Sequence, residues 1–108
     1  MGITTHVLDT SAGRPAAGVP VALERLEGND WIFLGRSETD SDGRCRALME
    51  STPVPGLYRL TFGTAIYFGA TRTFFPEVMI AFEVREEAEH YHVPLLVSPF
   101  GYTTYRGS

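Results

Sequence analysis

Apolar and polar residues alternate along several short stretches of this chain, and glycine or proline closes each stretch soon after. VPVALERL (Val19 to Leu26) sends Val19, Val21 and Leu23 one way and Pro20, Ala22 and Glu24 the other. LYRLTF (Leu57 to Phe62) repeats the pattern, and VMIAFEVR (Val78 to Arg85) puts Val78, Ile80, Phe82 and Val84 on one side. A period of two residues fits a strand with one buried face and does not fit a helix. ITTHVLD (Ile3 to Asp9), WIFLGRS (Trp31 to Ser37), RCRALM (Arg44 to Met49), HYHVPLLVS (His90 to Ser98) and YTTYRG (Tyr102 to Gly107) are the remaining strand candidates. TSAGRPAAG, EGND, TDSDG, STPVPG, the charged EEAE and PFG read as turns. GTAIYFGATRT reads differently: Ala65, Tyr67 and Phe68 fit a turn or two of helix bounded by Gly63 and Gly69. About eight short strands at regular spacing predict an all-β fold, an antiparallel sandwich or barrel. A chain of 108 residues buries one core, and no linker divides it, so residues 1–108 are expected to form a single domain.

One strand candidate asks for more than a second sheet. In HYHVPLLVS one face carries Tyr91, Val93, Leu95 and Val97, and the other carries His90, His92, Pro94 and Leu96. Toward its end the strand is apolar on both sides, and such strands are covered on both sides. The second sheet supplies one cover; a partner subunit is expected to supply the other.

Several function classes are disfavoured. The net charge is −4 with no basic stripe, which argues against nucleic acid. No apolar run approaches the roughly 20 residues that span a bilayer, so no membrane association is expected. Cys45 is the only cysteine, so no intrachain disulfide can form. MGITTHVLD lacks the basic and apolar segments of a secretory signal, and a cytoplasmic protein is expected.

The histidines are the first candidates for chemistry. His6 shares a face of its strand with Thr4 and Leu8, opposite Val7. His90 and His92 share a face of theirs. If Val7 and Val93 point inward, His6 and His92 point out on one surface, where imidazoles suit proton transfer near neutral pH. His90 and His92 could begin a zinc site with His6 or Cys45, but no recognised zinc spacing follows and none is expected. A strand histidine taken singly is more often a structural hydrogen-bonding group. Arg44, after the Asp42-Gly43 turn, is either a solvated charge or a fork of donors for a planar, electron-rich substrate. No Gly-x-Ser-x-Gly elbow or Gly-rich phosphate loop is present.

Taken together, THVLDTSAGRPAAGVPVALE, TDSDGR, FFPE and HYHVPLLVSPFGYTTYRGS resemble, in order and over essentially the whole chain, the transthyretin-related proteins known as 5-hydroxyisourate hydrolases. The terminal block is the most specific part. Transthyretin itself, the hormone carrier, is similar in pattern and in SPFGYTT but lacks the histidines and the Tyr-Arg-Gly-Ser ending. The resemblance implies a transthyretin-like sandwich of two four-stranded sheets, with one short helix between the fifth and sixth strands. It implies a homotetramer, a dimer of dimers, with clefts along a central channel. It implies hydrolysis of 5-hydroxyisourate, a small-molecule substrate, to 2-oxo-4-hydroxy-4-carboxy-5-ureidoimidazoline in urate degradation, with no metal or organic cofactor. Matching motif positions carry over as His6 and His92 for the proton work, and Arg44, Tyr105, Arg106, Gly107 and Ser108 for holding substrate. His90 is expected to be structural or to stand behind these groups. The rival expectations are a carrier that uses the same channel without chemistry and a structural sandwich module.

Overall fold

Strands dominate the computed structural model, which describes residues 2–49, 51–86 and 89–108. In chain order they are β1 (Gly2–Asp9), β2 (Arg14–Pro15), β3 (Pro20–Glu27), β4 (Asp30–Glu38), β5 (Arg44–Cys45), β6 (Gly56–Phe62), β7 (Val78–Val84), β8 (His90–Ser98) and β9 (Gly101–Thr104), with one helix, α1 (Thr64–Phe68), between β6 and β7. One sheet runs β4-β3-β6-β7. The other runs β2-β1-β8-β9 and adds β5 alongside β1, making five strands rather than the expected four. The extra member is β2, a two-residue pairing of Arg14 and Pro15 with Asp9 and Leu8. Counting it moves the helix from after the fifth strand to after the sixth. The charged EEAE turn lies partly outside the described residues, at positions 87 and 88.

The sheets pack face to face because each strand's alternation puts its apolar set on one side. Val7, Leu95 and Val97 from one sheet meet Leu23, Leu60 and Phe62 from the other in a single buried cluster. Burying each such side chain contributes about 1.5–3 kcal/mol. Antiparallel pairing holds throughout the β4-β3-β6-β7 sheet. β1 and β8, by contrast, run parallel over their whole length, from Gly2 opposite His90 to Asp9 opposite Val97. That pairing joins distant parts of the sequence and sets the geometry of the outer face.

Two strand expectations are shortened. RCRALM continues the sheet only through Arg44 and Cys45. The chain then leaves β1 and crosses to the other sheet, where Leu48 is buried and its carbonyl oxygen sits 1.7 Å from where a Cβ on Gly35 would be. Only glycine at position 35 admits that crossing, and it follows a bulge in the β3–β4 ladder between Leu23 and Glu24. YTTYRG pairs as β9 only to Thr104, opposite Leu95, and re-engages at Gly107, opposite His92. The register is unchanged across the gap. Pro94 stands where Tyr105 would pair, and proline has no N–H to give the ladder.

Candidate active site

The outer face of β1 and β8 gathers the groups with chemical potential. Inward residues of β1 (Ile3, Thr5, Val7) are buried, so Thr4, His6 and Leu8 face out. Tyr91, Val93, Leu95 and Val97 of β8 are buried in the same way, so His90, His92, Pro94 and Leu96 share the outer side. The parallel register sets Thr4 opposite His92 and His6 opposite Pro94.

The turn before β5 brings the cation. Asp40 Oδ1 accepts the backbone N–H of Asp42 at 2.9 Å and of Arg44 at 3.0 Å. The Arg44 N–H leads in holding the Asp40 carboxyl below its ordinary range, with Asp42 and the Arg46 and Arg44 charges adding to it against some desolvation. Gly43 then takes φ +77°, and a Cβ there would meet the Val7 carbonyl at 2.4 Å, so the turn seats on β1 only with glycine in place. The result sets Arg44 opposite His6 in the β1–β5 pair. The same turn fixes His6: its Nε2 lies 2.9 Å from the Asp42 carbonyl. A carbonyl only accepts, so neutral His6 carries its proton on Nε2 and keeps a lone pair on Nδ1.

His92 is the more enclosed imidazole. Its Nδ1 lies 2.8 Å from Thr4 Oγ1, and the same hydroxyl lies 2.9 Å from His90 Nε2. The two imidazoles stand face to face, centroids 6.3 Å apart and 21° from parallel. Burial first, then the positive charge of Arg44 and the neighbouring His90 and His6 rings, hold His92 below the ordinary histidine value; hydrogen bonding to the Thr4 backbone pulls the other way. The shift favours the neutral form of His92, the one that accepts a proton. Gly107 closes the far side. Its N–H donates to the His92 carbonyl at 2.8 Å, and a Cβ on it would come within 2.5 Å of His92 Cδ2.

A polar cleft of about 370 Å³ opens over this face, lined by Thr4, Thr5, Arg44, Arg46, His90, His92 and Ser108. His6 stands at its side, opposite Arg44 on the same face. Of the residues expected from sequence, the structure thus brings His6, Arg44, His92, Gly107 and Ser108 together. Tyr105 and Arg106 lie elsewhere within the chain. They line a more apolar cavity of about 220 Å³ with Ile80, Phe82 and Tyr91, which His92 also borders. Arg106 stacks its guanidinium 4.7 Å over the Tyr91 ring and reaches the Glu89 carboxylate at 3.3 Å. Thr4 and Arg46 are cleft residues that the sequence reading passed over. Thr4 carried a signal, since alternation alone puts it on the face of His6. No group of three or more metal-ligating side chains occurs among the described residues.

The cleft presents the imidazoles of His90 and His92 and the guanidiniums of Arg44 and Arg46, with His6 at its side, which suits proton transfer next to a developing negative charge. Comparison with known proteins agrees. The chain matches the HIUase/Transthyretin family over residues 3–107. It is 48% identical to a 5-hydroxyisourate hydrolase of Salmonella dublin over 109 residues, covering 98% of this chain and 80% of the relative. Its fold matches the structure of Klebsiella pneumoniae 5-hydroxyisourate hydrolase with a TM-score of 0.85 at 37% identity, over 100% of both chains. It also matches sea bream transthyretin in complex with thyroxine, with a TM-score of 0.92 at 27% identity, over 99% of this chain and 95% of that one. Backbone likeness therefore extends to an enzyme and to a hormone-binding protein alike, and the side chains on the outer face must separate the two.

Proposed function

This chain belongs to the HIUase/transthyretin family, and from that premise we propose that it hydrolyses 5-hydroxyisourate to 2-oxo-4-hydroxy-4-carboxy-5-ureidoimidazoline in urate degradation. The observation that carries the reading is the common face: His6, Arg44 and His92 converge there from β1, β5 and β8. A carrier of an apolar ligand has no use for two aligned imidazoles beside a guanidinium.

Water attacks the carbonyl carbon of a ring amide, the C–N bond breaks, and the ring opens to a carboxylate. His92, neutral and partly desolvated, takes the proton from water. His6 orients the water or returns a proton to the leaving nitrogen. Arg44 faces the carbonyl oxygen and favours the anionic transition state with paired donors. Ser108 borders the same cleft and offers a hydroxyl to water or substrate. Gly107 holds the backbone that packs on His92. Removing either imidazole is expected to lower the rate by about 10²–10⁴-fold.

We further assign a homotetramer, a dimer of dimers. Support comes from the outer face of β8, where Leu96 is only half-buried within the single chain and a partner would cover it. Tyr105 and Arg106, absent from the cleft of their own chain, belong to substrate binding in this reading only through assembly, where a neighbouring copy shares the channel. The protein is placed in the cytoplasm, a compartment that suits the free, buried Cys45 thiol.

The test is direct. 5-Hydroxyisourate is generated with urate oxidase, the protein is added, and loss of the compound is followed above its spontaneous rate. Acceleration by wild type and its loss in His92→Ala is the expected result. No acceleration by wild type, or an unchanged rate in His92→Ala, overturns the assignment. Full activity after removal of residues 105–108 removes the terminal segment from the site. Light scattering on the eluted protein reads the oligomer, and a monomer that turns over at full rate refutes the shared channel.

A further inference from the structure

We propose that Thr4 is a positioning residue for His92, its hydroxyl locking His90 and His92 into complementary proton arrangements so that His92 offers a bare Nε2 to the cleft. The inference rests on the reading that His92 moves a proton during hydrolysis, and it adds a residue and a direction to that reading.

The geometry is a three-group chain. Thr4 Oγ1 lies 2.8 Å from His92 Nδ1 and 2.9 Å from His90 Nε2. A hydroxyl has one proton to give and lone pairs to accept with. To bond both rings through that one proton it donates to one imidazole and accepts from the other. With the hydroxyl proton between the two rings, two senses are open; a third arrangement, in which the hydroxyl accepts from both rings and gives its proton elsewhere, also leaves the His92 proton on Nδ1. In the first, His92 Nδ1–H donates to Thr4, and Thr4 donates to His90 Nε2. In the second, both bonds reverse, and His92 carries its proton on Nε2.

The chemistry selects the first. Once His92 has taken a proton from water, or before it gives one to a leaving nitrogen, both of its ring nitrogens bear hydrogen. Nδ1 is then a donor, so Thr4 must accept from it. The first sense meets this requirement both before and after proton transfer, with no rotation of the hydroxyl. His90 Nε2, when unprotonated, is an acceptor within reach of the Thr4 proton. In the second sense the bare nitrogen is Nδ1, turned to Thr4 and not to the cleft, and the hydroxyl must turn once Nδ1 bears a proton. His92 Nε2, the nitrogen left to the cleft, has no hydrogen-bond partner among the described residues. Threonine is also suited to hold the oxygen still, since its β-branch restricts χ1. The parallel register that puts Thr4 directly opposite His92 fixes the backbone on both sides.

The assignment gives His90 a task. It is the acceptor that completes the chain, stacked 6.3 Å from His92, with no need to touch substrate. A merely structural hydroxyl would stabilise the strand pair without regard to where the His92 proton sits.

Two measurements decide it. Nitrogen-15 correlation spectra of the free wild-type protein read the tautomer of each histidine without any turnover. Protonation of His92 on Nδ1 is expected; protonation on Nε2 in the neutral ring overturns the proposal. Kinetics of Thr4→Val, which keeps the shape and drops the hydroxyl, should show kcat lowered about ten- to a hundredfold, with KM near wild type. Thr4→Ser should restore most of the rate. His90→Phe, which removes the final acceptor, should shift His92 toward the Nε2–H form and lower kcat in the same direction. A wild-type rate and tautomer in Thr4→Val overturn the proposal even if the hydrolase assignment stands. Conversely, a wild-type protein that fails to accelerate hydrolysis overturns the function, while the spectra still judge the lock.

Discussion

A methyl group added to Gly107 should disable His92 while leaving the fold nearly intact. A Cβ at position 107 would stand 2.5 Å from His92 Cδ2, 3.3 Å from its Cγ and 3.1 Å from Pro94 Cγ. Carbon atoms in non-bonded contact settle at about 3.5–4.0 Å, so the alanine is short of room by roughly 1 Å or more. Pro94 is a closed ring within β8 and gives little. The relief must come from the imidazole, or from breaking the Gly107 N–H bond to the His92 carbonyl at 2.8 Å. Losing that bond costs about 0.5–1.5 kcal/mol of stability. A displacement of about 1 Å in a reacting group costs on the order of 10²-fold in rate. Gly107→Ala should therefore lose about 10²-fold in kcat/KM for 5-hydroxyisourate, with only a small fall in Tm. Gly101→Ala is the matched control. The nearest atom to its added Cβ is Ser98 Oγ, at 3.9 Å, and it should behave as wild type. A Gly107→Ala enzyme with wild-type kcat/KM would refute both the tight seat of His92 and the need for it.

The charge on Arg44 should be visible in the pH profile. Burial and then Arg44 depress His92, so Arg44→Gln raises the His92 value toward the ordinary one and moves the acid limb of kcat/KM to higher pH. The plateau should fall by about 10²–10³-fold; Arg44→Lys should keep the limb near wild type while still losing rate, and identical limbs in Arg44→Gln and wild type would contradict the coupling. A separate test concerns stability. Tyr67 of α1 donates its hydroxyl to Asp9 Oδ2 at 2.6 Å, and burial with this bond pushes the tyrosine up to about 12. Burial raises the Asp9 carboxyl, but hydrogen bonds from Ser11, Tyr67 and Ala12 outweigh it and leave the net value lowered. A depressed carboxyl stabilises the fold above its unfolded value and loses that contribution as pH falls through the folded one. Tyr67→Phe should cost about 1.5–3 kcal/mol at neutral pH by denaturant unfolding, and the gap to wild type should narrow below about pH 4. A constant gap across pH would mean that the bond does not favour the ionised carboxylate over the protonated one.

Local alternation made much of this legible from the chain. Val7 inward implies His6 outward, and Val93 inward implies His92 outward, because parity needs no knowledge of the partner strand. The bounds of β8 and the glycines flanking α1 follow from equally local signals. What parity cannot supply is register. Nothing in ITTHVLD or HYHVPLLVS says that Thr4 stands opposite His92, so the hydroxyl linking two imidazoles was invisible. RCRALM alternates well enough to read as a full strand; it stops after Cys45 because Gly35, distant in sequence, offers room for the Leu48 carbonyl. Arg106 and Tyr105 came to the site by resemblance, and within one chain they line a different cavity. Pro94 was in plain view, yet its effect on the final ladder depends on which residue faces it.

The parallel seam between β1 and β8 also has a kinetic meaning. Thr4 and His92 are joined by bonds that close a loop of most of the sequence, and such contacts form slowly and late. During synthesis, β1 emerges long before its central neighbour exists. Until β8 arrives, β1 lacks that neighbour and is open to pairing with other chains. The cleft cannot assemble in any shorter nascent fragment, since His6 and His92 meet only when this seam closes. Refolding followed by return of activity should therefore trail refolding followed by the β3–β4 hairpin, and the step between them is where aggregation should compete hardest.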